Sequence, residues 1–545
     1  MDRLPLEIYN QITSYLTCSE KRKLLLVCRH WYNMIKNGNL FNNFSIKGQR
    51  KFEAAAVFFE ENASHRKQVR SLRLTKSEAD PKYILSIPMR FPWIQDFAWA
   101  HYGASDYEDE VVNDKEIVKH WENMISFEEI NRNPLSKMIL KSGGFRNLTQ
   151  LTINLHFGDT DCRPIFKHLM NAPKLKQLDL VSPKMTLVDL EEIHCNTPQL
   201  ETLYLTDIRQ EGDELFEAQL DVGTVSVAKG LTSLRMRNMR MPGGGHGLSS
   251  SWMTYVAVKY KDLNHLAIDG VGMARGRQDY YETKLVDIAA GCPQLKSYKV
   301  NIFPITPNIL TAMDNNNTQL KRIDIIEDPA VEQINNLLKS HQSHSLETIT
   351  MDYTHLDPNT LFNALKEFST LKHLEIGNKF EKSIFLDAVF QKLENLETLK
   401  LSTFNISLES NHMNNFQTKL KCLILEKVII KNINVDVMSF ISRTCPDLSK
   451  LSIQGQIEDD NTAFKVEFPH HYFTSIVIDI LSSEYYKVNN QRQITWYQFR
   501  GRNLQKSFHI NNAPSFPFSE NQPHVSIVYE GSTSLKIGGT DIPNW

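Results

Sequence analysis

One short pattern, apolar-x-x-apolar-x-apolar, recurs along the chain and alternates with stretches of helical periodicity. The apolar residues at its fourth and sixth positions alternate with polar ones, which predicts a half-buried β-strand. Twelve clear copies are LTQLTI (148–153), LKQLDL (175–180), LETLYL (200–205), LTSLRM (231–236), LNHLAI (263–268), LKSYKV (295–300), LKRIDI (320–325), LETITM (346–351), LKHLEI (371–376), LETLKL (396–401), LKCLIL (420–425) and LSKLSI (448–453). Weaker copies are VRSLRL (69–74) and IQDFAW (94–99). Their near-constant spacing predicts an array of structural repeats.

The stretches between the strands carry the apolar spacing of helices. One of them places apolar residues at Leu361, Phe362, Leu365 and Phe368. A single strand and helix cannot bury their apolar faces alone, but stacked copies form a continuous core. Parallel strands stack at roughly 4.8 Å, whereas packed helices need roughly 8–10 Å. We therefore expect the array to curve, with the strands on a concave inner face and the helices outside.

This repeat resembles the leucine-rich-repeat family over residues 69–455. The resemblance implies an α/β fold with a curved solenoid, or horseshoe. Two units enter their strands through Cys292-Pro293 and Cys445-Pro446, which resembles the cysteine-containing repeat subtype. Residues 101–147 are predicted to form a charged helical insertion in one repeat. Residues 456–545 lack the repeat but hold strand-like runs, which predicts a β-rich C-terminal cap or, alternatively, an independent binding domain.

Residues 4–35 have the apolar spacing of two amphipathic helices. Pro5 suits a first helical turn, because its missing N–H would have no partner there. Ile8, Ile12, Tyr15 and Leu16 follow along one face of the first helix. A segment this short cannot support a core of its own. It must therefore pack either on the repeat array or on another protein.

The residues LPLEIYNQITSYL, followed after ten residues by VCRHW, resemble the F-box, which we assign to residues 1–40. Residues 41–68 are then a linker or an N-terminal cap. F-boxes dock on the Skp-type adaptor of cullin–RING ubiquitin ligases. This sequence departs from the family at Lys21-Arg22, where F-boxes usually have an apolar pair. The resemblance implies that the adaptor contact or the packing of this segment comes from Leu4, Pro5, Ile8, Ile12, Leu16, Val27 and Trp31. Alternatively, these helices form a cap for the repeats.

Composition and motifs exclude several classes of function. A net charge of −2 and a pI of about 6.8 give no global attraction to nucleic acid or anionic membranes. The seven cysteines include no CxxC pair, and neither a signal peptide nor a membrane span is evident, so a cytoplasmic or nuclear protein is expected. The glycine-rich stretches 242–247 and 270–276 lack the features of nucleotide-binding loops.

Histidine pairs are the nearest approach to a metal motif in this sequence. The pairs His341/His344 and His470-His471 have no third ligand at a suitable spacing, and we expect them at the surface. The sequence also has no nucleophile–base arrangement that rises above chance. We therefore expect no catalytic residue, no metal and no cofactor, and the protein is not predicted to be an enzyme.

The fifth position of each repeat should lie on the concave face. With their flanks, these positions give a basic cluster beside Tyr204, formed by Arg235, Arg237, His265, Lys299 and Arg322. Arginine and tyrosine often anchor interfaces, so an acidic or phosphorylated protein segment is the predicted ligand. The alternative is a solvated face on which Asp269 and Asp324 neutralise these cations. The resemblances together imply a non-catalytic substrate-recognition subunit of an SCF-type ubiquitin ligase, or else a protein-binding scaffold unrelated to ubiquitin.

Overall fold

The computed structural model describes most of the chain, and the structural statements that follow concern these residues. They are Leu26, Cys28 and Tyr32, and the ranges 42–77, 81–101, 115–130, 135–154, 163–211, 225–241, 247–269, 278–301, 303–325, 330–351, 357–377, 383–409, 416–430, 436–457, 463–480, 483–490, 494–500, 503–509 and 524–542. The chain forms two compact units, Met1–Lys284 and Leu285–Trp545.

The first unit contains a ladder of nine parallel strands and a separate two-stranded ladder, within its described residues. The nine strands pair in the order β1-β2-β3-β4-β5-β6-β8-β10-β11, and β7 pairs with β9. The strands are β1 (Asn43–Lys47), β2 (Ser71–Ser77), β3 (Asp96–His101), β4 (Ser126–Ile130), β5 (Gln150–Asn154), β6 (Gln177–Val181), β7 (Lys184–Met185), β8 (Thr202–Thr206), β9 (Arg209–Gln210), β10 (Ser233–Arg237) and β11 (His265–Asp269).

The register of this ladder explains the repeat. Leu151, Leu178, Leu203 and Leu234 are direct neighbours across successive strands, and all four are buried. The polar residues between the apolar ones are at least partly accessible in β5, β6 and β8. Each fourth and sixth position therefore adds to one continuous core, as the alternating pattern predicts.

Helices join the strands of the first unit. They are α1 (Gln49–Glu61), α2 (Ala63–Arg66), α3 (Pro81–Leu85), α4 (Ile87–Arg90), α5 (Lys115–Lys119), α6 (Leu135–Lys141), α7 (Arg163–Phe166), α8 (Leu187–Asn196) and α9 (Ser250–Lys259), with short 3-10 helices at His120–Asn123 and Leu169–Asn171; α10 (Gln278–Gly291) begins in the first unit and ends in the second. Helix α8 begins with a capping box, in which the Thr186 hydroxyl accepts from the Asp189 N–H and the Asp189 carboxylate accepts from the Thr186 N–H.

The second unit repeats this arrangement. Its main ladder is parallel in the order β12-β13-β14-β15-β17-β19-β20-β22-β27, and β28 pairs antiparallel with β27. Its strands are β12 (Ser297–Val300), β13 (Arg322–Ile325), β14 (Thr348–Met351), β15 (His373–Gly377), β16 (Ser383–Phe385), β17 (Thr398–Ser402), β18 (Asn405–Ser407), β19 (Cys422–Ile430), β20 (Lys450–Ile457), β21 (Ala463–Phe473), β22 (Ser475–Ile480), β23 (Tyr485–Asn489), β24 (Ile494–Arg500), β25 (Asn503–His509), β26 (His524–Ser532), β27 (Leu535–Ile537) and β28 (Thr540–Ile542).

Helices also separate the strands of the second unit. They are α11 (Pro307–Asn315), α12 (Ala330–Leu338), α13 (Pro358–Leu365), α14 (Leu386–Lys392) and α15 (Asp436–Thr444), with a 3-10 helix at His341–His344. All fourteen strands that the repeat pattern predicts are present, as β2, β3, β5, β6, β8, β10 to β15, β17, β19 and β20. The Tyr298 side chain is buried at a position where the repeat usually has leucine.

The ladder of the first unit begins earlier than the sequence pattern predicts. Residues 41–68, predicted to be a linker or cap, contain β1 and α1, and β1 pairs with β2 in register. The residues FNNFSI (41–46) have the spacing of the repeat, and Phe44 and Ile46 lie beside Leu72 and Leu74. This segment therefore contributes a strand and a helix to the array itself.

The predicted helical insertion at 101–147 is corrected in a similar way. Strand β4 lies between β3 and β5 in the ladder, so this segment contains a further repeat strand. Phe127 pairs with Leu151 at the fourth position, and Glu129 pairs with Ile153 at the sixth. The repeat is hidden in the sequence because a carboxylate occupies one of its buried positions.

Residues 456–545 are rich in strands, as predicted. The ladder continues into this region, because β22 pairs with β20 and its residues FTSIVI (473–478) have the repeat spacing. A second sheet has the order β21-β26-β23-β24-β25, with β21 and β23 parallel to β26 and the remaining pairs antiparallel. The role of this region as a cap stays a prediction.

Candidate functional site

The candidate binding surface is the strand face that carries the third, fifth and seventh positions of each repeat. In β10, Arg235 and Arg237 are exposed, whereas Leu234 and Met236 between them are buried. The alternation of side chains along the strand therefore presents these arginines on the face opposite the core.

Tyr204 lies between Asp179 and Arg235 on this face of the first unit. It pairs with Asp179 on one side and with Arg235 on the other in the strand register. Burial raises the pKa of Asp179, the charge of Arg235 opposes this shift, and Glu128 adds to it. The Oδ1 atom of Asp179 is buried without a hydrogen-bond partner among the described residues. A carboxylate, a phenol and a guanidinium thus follow one another across three strands.

Arg235 and His265 make no salt bridge or hydrogen bond with any part of the chain that the structure describes. Arg237, by contrast, has its Nε 3.7 Å from Asp269 Oδ2. Among these cations of the first unit, Arg237 therefore has an ion-pair partner within the protein, whereas Arg235 and His265 have none in the described residues. Arg235 interacts with the charge of Asp179 but forms no salt bridge with it, so its guanidinium can still pair with an anionic partner.

Lys299 and Arg322 lie in the second unit, where both pair with one acid. Lys299 Nζ is 3.2 Å from Asp324 Oδ2, and Arg322 Nε is 3.0 Å from Asp324 Oδ1. The Asp324 side chain is only 2% exposed. The predicted alternative is that acidic residues neutralise these cations. Ion pairs of this kind are present at Lys299, Arg322 and Arg237, but Arg235 forms none with the described residues.

The predicted adaptor-binding residues Leu4, Pro5, Ile8, Ile12, Leu16, Val27 and Trp31 lie outside the described residues. Within the same segment, Leu26 exposes 88% of its surface, and Tyr32 is also exposed. The Tyr32 N–H donates to the Cys28 carbonyl oxygen at 2.9 Å, which is the spacing of a helical turn.

Sequence reasoning missed a buried titratable cluster between α8 and α9. Lys259 Nζ lies 2.7 Å from Glu191 Oε2, and the lysine side chain is 2% exposed. His194 Nε2 lies 2.9 Å from the Tyr260 hydroxyl oxygen. Burial, with a smaller contribution from Lys259, lowers the pKa of His194 to about 3. The signal in the sequence is Lys259 within the apolar run YVAVKY.

A second buried group is Glu129, which is 1% exposed. Its Oε1 accepts from the Leu135 N–H at 2.8 Å, and its Oε2 accepts from the Ser136 N–H at 2.9 Å and from the Ser136 hydroxyl. These donors belong to the first turn of α6, which a carboxylate suits. Burial nevertheless outweighs these hydrogen bonds and raises the pKa of Glu129 to about 7.

The histidine pairs differ from one another in burial. His470 is exposed as predicted, but His471 is buried, so its prediction as a surface residue is wrong. The aromatic rings of Phe468 and Phe473 enclose the His471 ring. Among the residues that the structure describes, no group of three or more His, Cys, Asp or Glu is placed to hold a metal ion. No helix in this part of the chain is both long and apolar enough to cross a membrane.

One segment of the chain matches a known family model. Residues 1–47 match the F-box-like family model. The chain carries an F-box-like domain at its N terminus. No curated protein matches the sequence. Among solved structures, the crystal structure of a TLR13–ssRNA13 complex is similar at 13% sequence identity and a TM-score of 0.38, over 85% of this chain and 68% of that chain.

Proposed function

We propose that this protein is a non-catalytic substrate receptor of an SCF-type ubiquitin ligase. The observation that carries the proposal is the F-box-like match at residues 1–47, followed directly by a leucine-rich-repeat-like array. The last five matched residues are strand β1, so the F-box-like match overlaps the first strand of the ladder. Residues 1–40 dock a Skp-type adaptor, and the repeats hold a protein substrate.

The exposed strand face supports the second half of this proposal. Asp179, Tyr204 and Arg235 present an acid, an aromatic hydroxyl and a cation on adjacent strands. Arginine and tyrosine supply much of the binding energy in protein interfaces. Arg235 can pair with a carboxylate or a phosphate of the substrate, because it forms no salt bridge or hydrogen bond with the described residues.

Adaptor docking is expected to depend on the first helix that the sequence predicts in the F-box-like domain. The double substitution Leu4→Ala/Pro5→Ala should reduce retention of a Skp-type adaptor by about 100-fold or more, because a large apolar side chain buried against a partner contributes about 1.5–3 kcal/mol. The measurement is a quantitative pull-down with the full-length chain, with circular dichroism to follow the fold of the repeats.

A matched control truncates two exposed apolar side chains of the array, Met170→Ala/Val188→Ala, and should leave adaptor retention unchanged. Full adaptor binding by the Leu4/Pro5 variant would contradict the proposal. Unfolding of the repeats in that variant would instead favour the scaffold function, in which the N-terminal helices act as a cap.

Substrate capture is expected to depend on Arg235. The charge reversal Arg235→Glu should weaken binding of captured substrates by about 30-fold, equivalent to about 2 kcal/mol, as for arginines that anchor interfaces. The measurement compares proteins captured by the full-length chain and by the variant, using quantitative mass spectrometry. Reversing the charge of Lys299 should have an additional effect on capture, because it also removes the ion pair between Lys299 and Asp324.

The control for this experiment is Lys261→Glu, an exposed lysine of the same unit that makes no salt bridge or hydrogen bond with the described chain. It produces the same change of charge away from the strand face. An equal loss of capture in both variants would show that net charge, rather than the strand face around Arg235, governs binding.

A further inference from the structure

A cavity of about 400 Å³ lies in the second unit, between helix α15 and strand β21. Polar side chains from both elements line the cavity. Ser439 and Arg443 are on the helix, and Lys465 and His471 are on the strand. Of the residues that line the cavity, Glu467 is the one carboxylate. A cavity built this way favours an anionic ligand.

The imidazole of His471 is fixed in one orientation within this wall. It is 5% exposed, with Phe468 edge-on at 5.2 Å and Phe473 stacked at 5.8 Å between ring centroids. Its Nε2 lies 2.9 Å from the Cys445 carbonyl oxygen. Because a carbonyl oxygen can only accept, Nε2 carries a proton and donates to it. The neutral ring therefore has an acceptor at Nδ1.

That Nδ1 atom is buried and has no hydrogen-bond partner among the described residues. An unsatisfied buried polar atom costs about 1–3 kcal/mol, so such atoms usually have a partner that completes them. His471 belongs to the residues that line the cavity. A ligand in the cavity that carries a donor hydrogen would satisfy Nδ1.

The local strand geometry explains how His471 reaches this position. Phe468 pairs with Tyr529 and Tyr472 pairs with Gly531, so β21 advances four residues while β26 advances two. The extra residues form a bulge, and bulges redirect side chains. A Cβ atom on Gly531 would lie 2.8 Å from the exposed Tyr472 ring, so a larger residue where the bulge rejoins the ladder would displace that ring.

The two exposed cations of the lining are Arg443 and Lys465. The Arg443 Nε donates to the Ser439 carbonyl oxygen at 3.2 Å, which positions the guanidinium on the helix side. A singly protonated phosphate has oxygens that accept from such cations and one hydroxyl that can donate. A carboxylate has the charge but no hydrogen for the neutral ring.

We propose that this cavity binds a phosphate group, whose hydroxyl donates to His471 Nδ1 while its oxygens accept from Arg443 and Lys465. The site is independent of adaptor docking and of the strand face around Arg235. The phosphate is the free ion, because a phosphorylated side chain is mostly doubly ionised at neutral pH and then has no hydroxyl to donate.

Isothermal titration calorimetry of the full-length chain with inorganic phosphate at neutral pH tests the site. Phosphate should bind, and sulfate, which has the same shape but no hydrogen to donate, should bind at least tenfold more weakly. The variant Arg443→Gln/Lys465→Gln should weaken phosphate binding at least tenfold. The matched variant Lys419→Gln/Lys450→Gln removes two exposed cations of the same unit and should bind as the unmodified chain does.

A second measurement reports directly on His471. In histidine-labelled protein, phosphate should shift the ¹⁵N resonance of Nδ1, assigned by its disappearance in His471→Gln. No phosphate binding at millimolar concentration, equally tight sulfate, or equal binding by both double variants would overturn the proposal. A phosphoserine peptide, whose phosphate is mostly without a hydroxyl at neutral pH, should bind more weakly than inorganic phosphate, and tighter binding of the peptide would also overturn the proposal.

Discussion

Replacing Glu191 with alanine is expected to destabilise the first unit by about 3 kcal/mol. Lys259 Nζ has Glu191 as its partner at 2.7 Å, and the lysine side chain is almost fully buried. Removing one member of a buried ion pair leaves the other as an uncompensated charge, which costs about 3–5 kcal/mol. We place the effect at the lower end because Glu191 is 28% exposed, so water can reach part of the pair.

The measurement is hydrogen exchange of α8 and α9, which reports the free energy of opening of this region. The double variant Glu191→Leu/Lys259→Met should recover most of the loss, because both charges are removed together. A matched surface pair is Lys176 and Glu201, which also lie 2.7 Å apart but are about half exposed. Glu201→Ala should cost less than about 1 kcal/mol. An equal cost for the two alanine variants would contradict the argument from burial.

The spacing of apolar residues is sufficient to locate most of the ladder. Where the fourth and sixth positions are both apolar, as at Leu178 and Leu180, the strand is predicted and observed. Strands β1 and β22 have the same spacing, in FNNFSI and FTSIVI, and lie just outside the range assigned to repeats. The pattern therefore contains more of the fold than the assigned boundaries include.

Strand β4 could not be found by this pattern, for a physical reason. Glu129 occupies a core position and is acceptable there only because donors from α6 complete it. Those donors lie six and seven residues further along the chain, so the compensation depends on a turn that apolar spacing does not describe. A buried polar residue with distant partners conceals a repeat from any search for apolar positions.

The candidate site, like the ladder, is only partly predictable from the sequence. Exposure of Arg235 follows from the alternation along β10, so its position on the strand face is predictable. Its lack of an ion-pair partner is not predictable, because Asp179 lies two strands away on the same face and the sequence does not show whether the two side chains meet. Which cation each acid holds depends on the side-chain directions, and only the structure distinguishes Arg235 from Arg322 and Lys299.

Stability of the first unit is expected to fall as the pH rises through the range in which Glu129 titrates. The unfolded carboxyl has a pKa near 4.5, and burial raises the folded pKa to about 7. Between these values the folded state binds a proton that the unfolded state does not, so the free energy of unfolding decreases with rising pH. The stabilisation is complete below pH 4.5 and is lost above pH 7. A shift of this size corresponds to about 3 kcal/mol.

The substitution Glu129→Gln should remove this dependence, because the amide oxygen still accepts from the first turn of α6 and carries no charge. Denaturation from pH 4.5 to 8 should give similar stabilities for variant and unmodified protein at the acidic end, and a more stable variant at the basic end. His194 contributes the opposite slope, since its folded pKa is lowered and stability is lost as the pH falls below about 6.5. That slope is common to both proteins and cancels in their difference.

Glu116→Gln, at an exposed acid of the same unit, is the control and should leave the pH dependence intact. A difference that stays constant with pH would mean that Glu129 remains ionised, with its three donors outweighing burial.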